Sequence, residues 1–337
     1  MRRMLFVGTL LSVTSLFAPS AMAADDPEST NDCSDIAQLM SNDDFAALDA
    51  MAARLRKGEL NAAGESRLGR FYICMSRAIG TARQEVDAWN HWSAWAARWV
   101  QHAPKSPAAH LMAARIPLNL AWSYRGGGYA NTVNAEDWAQ FHEYNAVSQA
   151  YLQSHEGIAG GDPFWHEMNV LIALRESAED DDMLAIVDRA AKAFPEYEPL
   201  HLIAMQHFTP AWGGSAQKME AFARHSMASA PKNKRAMRYA RLYWSATVYS
   251  ADHFREATPD WPLMRQGLDE IAQRYPTVDN LESITRFACW ARDGEALDRW
   301  NRLYLSRSGF SEAVIADSSA QSRAACLAPD VGQEASS

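Results

Sequence analysis

Apolar residues recur three and four positions apart along most of the chain, the spacing that lines one face of an α-helix. Ile36, Leu39 and Met40 share such a face, and Phe45, Leu48, Met51, Ala52 and Leu55 continue the rhythm after Asp43. Gly58 and Gly64 punctuate the join to a helix carrying Leu68, Phe71, Tyr72 and Met75. A longer helix is predicted from about 81 to 102, before Pro104; Pro107 opens the next, with a kink or break expected at Pro117. Asn134 is placed to cap a helix carrying Trp138, Phe141, Tyr144, Val147 and Tyr151. Beyond Pro163 the pattern becomes regular. Hairpins are predicted from 164–175 with 182–194, 200–208 with 216–228, 235–249 with 262–275, and 278–292 with 295–304. No alternating polar and apolar run of useful length predicts a strand.

Four of these helices end alike, as WAARWVQHAP, IVDRAAKAFP, FARHSMASAP and LDEIAQRYP. Prolines 104, 163, 195, 231 and 276 lie 59, 32, 36 and 45 residues apart, and the two middle gaps bracket the 34-residue tetratricopeptide period. The expected fold is all-α, a tetratricopeptide-like helical-hairpin solenoid over residues 33–328, in which each unit buries its core against its neighbours. Residues 24–32 are polar and read as a flexible segment, and 329–337 read as a disordered tail.

The first residues are set apart by composition. Arg2 and Arg3 precede the apolar run Leu5–Ala18, and Ala21-Met22-Ala23 supplies small residues where a signal peptidase reads. A signal peptide over 1–23, cleaved after Ala23, predicts a periplasmic or secreted protein. That run is too short to span a bilayer and no later one reaches about 18 uninterrupted apolar residues, so no membrane insertion is expected. The formal charge of −9 becomes −11 without the two leading arginines, which disfavours nucleic acid and anionic membranes as partners. Cys33, Cys74, Cys289 and Cys326 allow three disulfide connectivities. The local pairing fits a solenoid, and each loop of about 40 residues would contribute roughly 4 kcal/mol if the bridge acts by reducing unfolded-chain entropy.

The candidate chemistry is sparse. His142-Glu143, His155-Glu156 and His166-Glu167 each lack the second histidine of a zinc-protease motif, and His201 and His207 fall on different sides of a helix. No Gly-x-Ser-x-Gly elbow occurs, and the wide cysteine spacing is unlike a zinc site, so no metal, cofactor or catalytic residue is assigned. Gly126–Gly128 lack the Gly-Lys ending of a phosphate loop, but Arg125 beside them suits an anion, with Trp122 and Tyr129 as further ligand- or partner-binding candidates. The alternative is a loop that bends the chain, with Arg125 paired to a carboxylate. Trp89, Trp92, Trp95 and Trp99 form a stripe that reads as a wide core face, or else as an aromatic platform. Trp212 reads as a plug between hairpins, with binding the second reading. Glu179–Asp182 reads as an acidic turn at a helix N-terminus rather than a calcium loop.

From about residue 100 to 231 the chain, with RGGGYANTV and then TPAWGGSAQKMEAFA, resembles a bacterial tetratricopeptide-like family catalogued as a domain of unknown function. The Arg-Gly loop and the Pro-x-Trp-Gly-Gly-Ser turn carry the likeness, which implies a helical fold and no assigned chemistry. The functional expectation is an exported module that binds a protein or peptide. Two other readings stand beside it. One is a helical enzyme acting on cell-wall or other carbohydrate, using exposed tryptophans and a carboxylate pair. The other is a small-ligand sensor around Arg125 and Tyr129.

Overall fold

A computed structural model describes residues 27–80, 86–248 and 250–327. Among them regular structure is helical apart from one isolated antiparallel bridge, Leu60 with Ser66. The helices run α1 (Pro27–Ser41), α2 (Phe45–Leu55), α3 (Arg67–Ile79), α4 (Val86–His102), α5 (Pro107–Arg125) and α6 (Ala135–Ser154). After the single turn α7 (Glu156–Ala159) come α8 (Pro163–Arg175), α9 (Asp180–Ala193), α10 (Pro199–His207), α11 (Ala216–Ser229) and α12 (Arg235–Thr247). The series closes with α13 (Ala251–Ala257), α14 (Trp261–Arg274), α15 (Val278–Trp290), α16 (Gly294–Arg307) and α17 (Glu312–Leu327).

Starts and stops follow local chemistry. Asp44, Ser66, Ser106, Asn134, Asp162, Ser215, Asp260, Thr277 and Asp293 each accept a backbone N–H of the following first turn. Packing is largely between helices close in sequence: α4 on α5, α5 on α6, α8 on α9 and α10, α11 on α12, α12 on α14, and α15 on α16. One continuous core results, from Ile36 in α1 to Trp300 in α16. Trp89, Trp95 and Trp99 are buried in it and Trp92 packs against it, so the stripe is a core face. The indole of Trp95 donates to the Met40 carbonyl at 3.1 Å. The cystines are the local pairs, Cys33–Cys74 tying α1 to α3 and Cys289–Cys326 tying α15 to α17, each with Cα atoms 5.0 Å apart.

Three features depart from expectation. Helix α5 runs through Pro117, so of the kink or break expected there the break does not occur. Ile116 and Leu118 are buried on either side of it, and neighbouring helices serve carbonyls nearby: Ser148 Oγ donates to Ala114 O at 2.8 Å, and Arg175 Nη1 to Leu118 O at 2.6 Å. Helix α1 begins at Pro27, inside the stretch read as flexible, because proline at a first helical position gives up an N–H that has no partner there. The signal peptide expected over 1–23 and the tail expected over 329–337 lie outside the described residues.

The third departure concerns order along the chain. The turn between α2 and α3 does not stop at its neighbours. Asn61 N donates to Glu65 O and Gly64 N to Asn61 O, making a tight tip. At that tip the Ala63 carbonyl accepts from Arg241 Nη2 at 2.7 Å and from Asn280 Nδ2 at 3.1 Å. The second contact spans 217 positions.

Candidate ligand-binding cleft

The nominated residues of the glycine loop end up largely serving the loop itself. Arg125, last residue of α5, donates through Nη1 to the Gly126 and Gly128 carbonyls. Its guanidinium also lies over Trp122 and Trp138, 5.5 and 5.9 Å from the ring centroids. Loop carbonyls and indole faces therefore hold Arg125, where a carboxylate partner was expected. Trp122 is half-buried, with the Arg175 guanidinium 4.8 Å from its centroid. Tyr129 stands in solvent, 84% exposed. The structure brings Arg125 and Trp122 together and leaves Tyr129 apart.

Trp212 is not the interior plug it was read as. It sits in a 3₁₀ turn (Pro210–Trp212) and is 37% exposed. The reason lies in the next two residues. Gly213 adopts φ +87, and a Cβ on Gly214 would meet the Phe208 carbonyl oxygen at 2.0 Å. The Phe208 backbone thus occupies the space behind the turn, and Phe208 stacks on Phe222 there, with centroids 4.6 Å apart.

Two carboxylates are deeply buried. Asp162 accepts from Tyr72 Oη at 2.8 Å and from Phe164 N at 3.0 Å, and pairs with Arg56 Nε at 3.0 Å. Glu167 accepts from Tyr197 Oη at 2.6 Å. Burial raises both carboxyls above their ordinary range, that of Glu167 to about 7, with Tyr197 and Arg115 pulling it back down. Asp162 ties the end of α2 and α3 to the start of α8, and Glu167 ties α8 to the turn before α10, both from inside the core; they do not face one another across an open cleft. No group of three or more metal-ligating side chains occurs among the described residues.

A different place has the properties of a site. The 59–66 turn, the entry to α10 and the first two turns of α12 enclose a cleft lined by Leu60, Gly64, Ser66, Glu196, Glu198, Lys234, Met237, Arg238, Arg241 and Tyr275. Lys234 Nζ meets Glu196 Oε2 at 2.7 Å. Glu198 lies between two guanidiniums, Oε1 3.5 Å from Arg238 Nε and Oε2 3.4 Å from Arg241 Nε. Arg238 Nη2 donates to the Pro195 carbonyl at 2.9 Å. Its Nη1 is enclosed, the side chain being only 4% exposed, and has no hydrogen-bond partner among the described residues. Burial lowers the Arg238 pKa, with Glu198 opposing the shift.

The basic residues stand where a helix repels them. Lys234, Arg235 and Arg238 sit at or within the first turn of α12, which has no acid there and no side-chain cap. Cations near the positive end of a helix cost about 0.3–1 kcal/mol each at the surface. Arg235 has a structural use, donating to Ala228 and Ala230 carbonyls at the end of α11. Lys234 and Arg238 face the cleft.

Sequence reasoning missed this cleft, although one signal was present. Lys232, Lys234, Arg235, Arg238 and Arg241 are five basic residues within ten positions of a chain whose net charge is −9. The chain matches no known protein family, and searches of curated proteins and of solved structures find nothing significantly similar to it.

Proposed function

We propose that this is an exported binding module: tetratricopeptide-like stacked hairpins, periplasmic or secreted, that hold a protein or peptide segment. The observation that carries the reading is the cleft beside the 59–66 turn. An exposed apolar side chain, Leu60 at 40%, borders a basic cluster whose buried Arg238 Nη1 has no partner among the described residues. A buried donor left unsatisfied costs about 1–3 kcal/mol, more for a charged group, and a bound acceptor would recover that cost. Export is supported by the leader-like composition of residues 1–23 and by the two cystines, which persist in oxidising compartments. No described helix is long and apolar enough to cross a membrane.

The test is selection of binders from a displayed random-peptide library against the disulfide-intact chain, followed by calorimetry on the selected sequences. The expected result is saturable binding that weakens at least tenfold in Arg241→Ala. Failure to select any peptide, together with turnover of a polysaccharide by the same preparation, would overturn the reading in favour of an enzyme.

A further inference from the structure

We propose that the cleft between the 59–66 turn and α12 binds a carboxylate group attached to an apolar body, with the carboxylate on Arg238 and Arg241 and the apolar part against Leu60. The inference rests on the same cleft as the binding function above and adds the chemistry of what enters it.

Four observations converge. The first is charge: Lys234, Arg238 and Arg241 face two acids, Glu196 and Glu198, so the lining carries one positive charge in excess. A monoanion balances it. The second is the unused donor, Nη1 of a guanidinium that is otherwise fixed by Glu198 and the Pro195 carbonyl. A planar carboxylate suits such a fork, because its two oxygens can accept parallel N–H bonds. The third is size. The cleft is a narrow one of about 40 Å³, enough for a small head group such as a carboxylate. The fourth is the border: Leu60 and Met237 line the same cleft, so the group behind the carboxylate meets apolar surface.

Glu198 is the group already holding the place. It sits between both guanidiniums at salt-bridge distances of 3.4–3.5 Å, longer than a good charged hydrogen bond. An incoming carboxylate shares these arginines with it, so the charge of Glu198 opposes binding. This sets a prediction that loss of folding cannot imitate: Glu198→Gln binds the ligand more tightly.

The experiment is isothermal titration of the full disulfide-bonded chain with three probes. These are N-acetyl-leucine as the free acid, N-acetyl-leucinamide, and an amide-capped peptide with an internal glutamate next to leucine. The free acid is expected to bind, the amide at least tenfold more weakly, and Glu198→Gln to gain at least threefold for the acid alone. Arg241→Ala and Arg238→Ala should lose at least tenfold, and Arg125→Ala should bind like the parent. Binding of the glutamate peptide as tightly as the free acid would support the carboxylate and assign it to a side chain; weaker binding would assign it to a chain terminus or a free small acid. Equal affinity for acid and amide, or no change in Glu198→Gln, would overturn the proposal. If library peptides bind while no acid probe does, the carboxylate site falls and the binding function stands. If the acid binds as expected and no peptide does, the reverse holds.

Discussion

Replacing Gly64 by alanine tests whether the 59–66 turn is seated as described. Gly64 has φ +77, and a Cβ built on it would lie 2.6–2.7 Å from the Tyr275 ring. Two costs follow. A non-glycine residue in the left-handed region loses about 1–2 kcal/mol, and forcing the ring aside adds an overpacking cost of about 1–3 kcal/mol. Gly58 supplies the control, since it shares the segment, has φ +91, and a Cβ added there would meet nothing within 4 Å. Gly58→Ala should show only the backbone cost, and Gly64→Ala should exceed it by the packing cost. Urea unfolding followed by fluorescence gives both values, and Tyr275→Ala in the Gly64→Ala background should return most of the difference as a coupling energy. Equal destabilisation by the two alanines, with no coupling to Tyr275, would mean that the turn is not docked there.

Three further outcomes follow from the same geometry. Glu167 is raised by burial from an ordinary 4.5 to about 7, so the folded state holds its proton more tightly than the unfolded chain. Its contribution is fully present below about pH 4.5 and is lost as pH rises through 7, on the order of 3 kcal/mol in all. Glu167→Gln should flatten that loss in urea midpoints measured across the window; an unchanged slope would refute the assignment. Gly267→Ala should destabilise by about 1–3 kcal/mol or more in thermal or urea unfolding, because its Cβ would lie 2.0 Å from the Ala236 carbonyl oxygen and must part α12 from α14. Replacing Cys289 and Cys326 by serine should cost roughly 4 kcal/mol and raise hydrogen exchange first in α17; a uniform rise along the chain would count against a local tie.

Much of the helix pattern was legible because proline and glycine mark boundaries locally. Asn134 and Ser215 cap the helices expected of them, and the local cysteine pairing follows from helices close in sequence packing together. Helices α13 and α17 were missed. Helix α13 is seven residues long, and α17 buries only Ile315 and Ser319, too little apolar rhythm to read. The site was not legible for a different reason. Gly58 and Gly64 look like ordinary punctuation, and nothing near them says that their segment's partners are Arg241, Tyr275 and Asn280. The basic cluster at 232–241 was visible, but its meaning depends on which end of α12 it occupies. Arg125 misled in the opposite way: its aromatic and carbonyl partners are all within 13 residues, and they consume the donor that looked free in the sequence.

The reach of the Ala63 carbonyl to Asn280 also sets a clock. A chain emerging from the ribosome at about 5–20 residues per second completes the 217-residue gap only after roughly 10 to 40 s. Arg241, 178 positions on, arrives earlier and brings the α12 wall of the cleft, but until the longer gap is made the turn before α3 lacks Asn280. A stack of self-sufficient repeats could close unit by unit; the turn before α3 cannot be completed until Asn280 has been made. Under the export proposed above, which would move the chain as an unfolded thread, that delay would keep the early helices unfinished while they are still being moved.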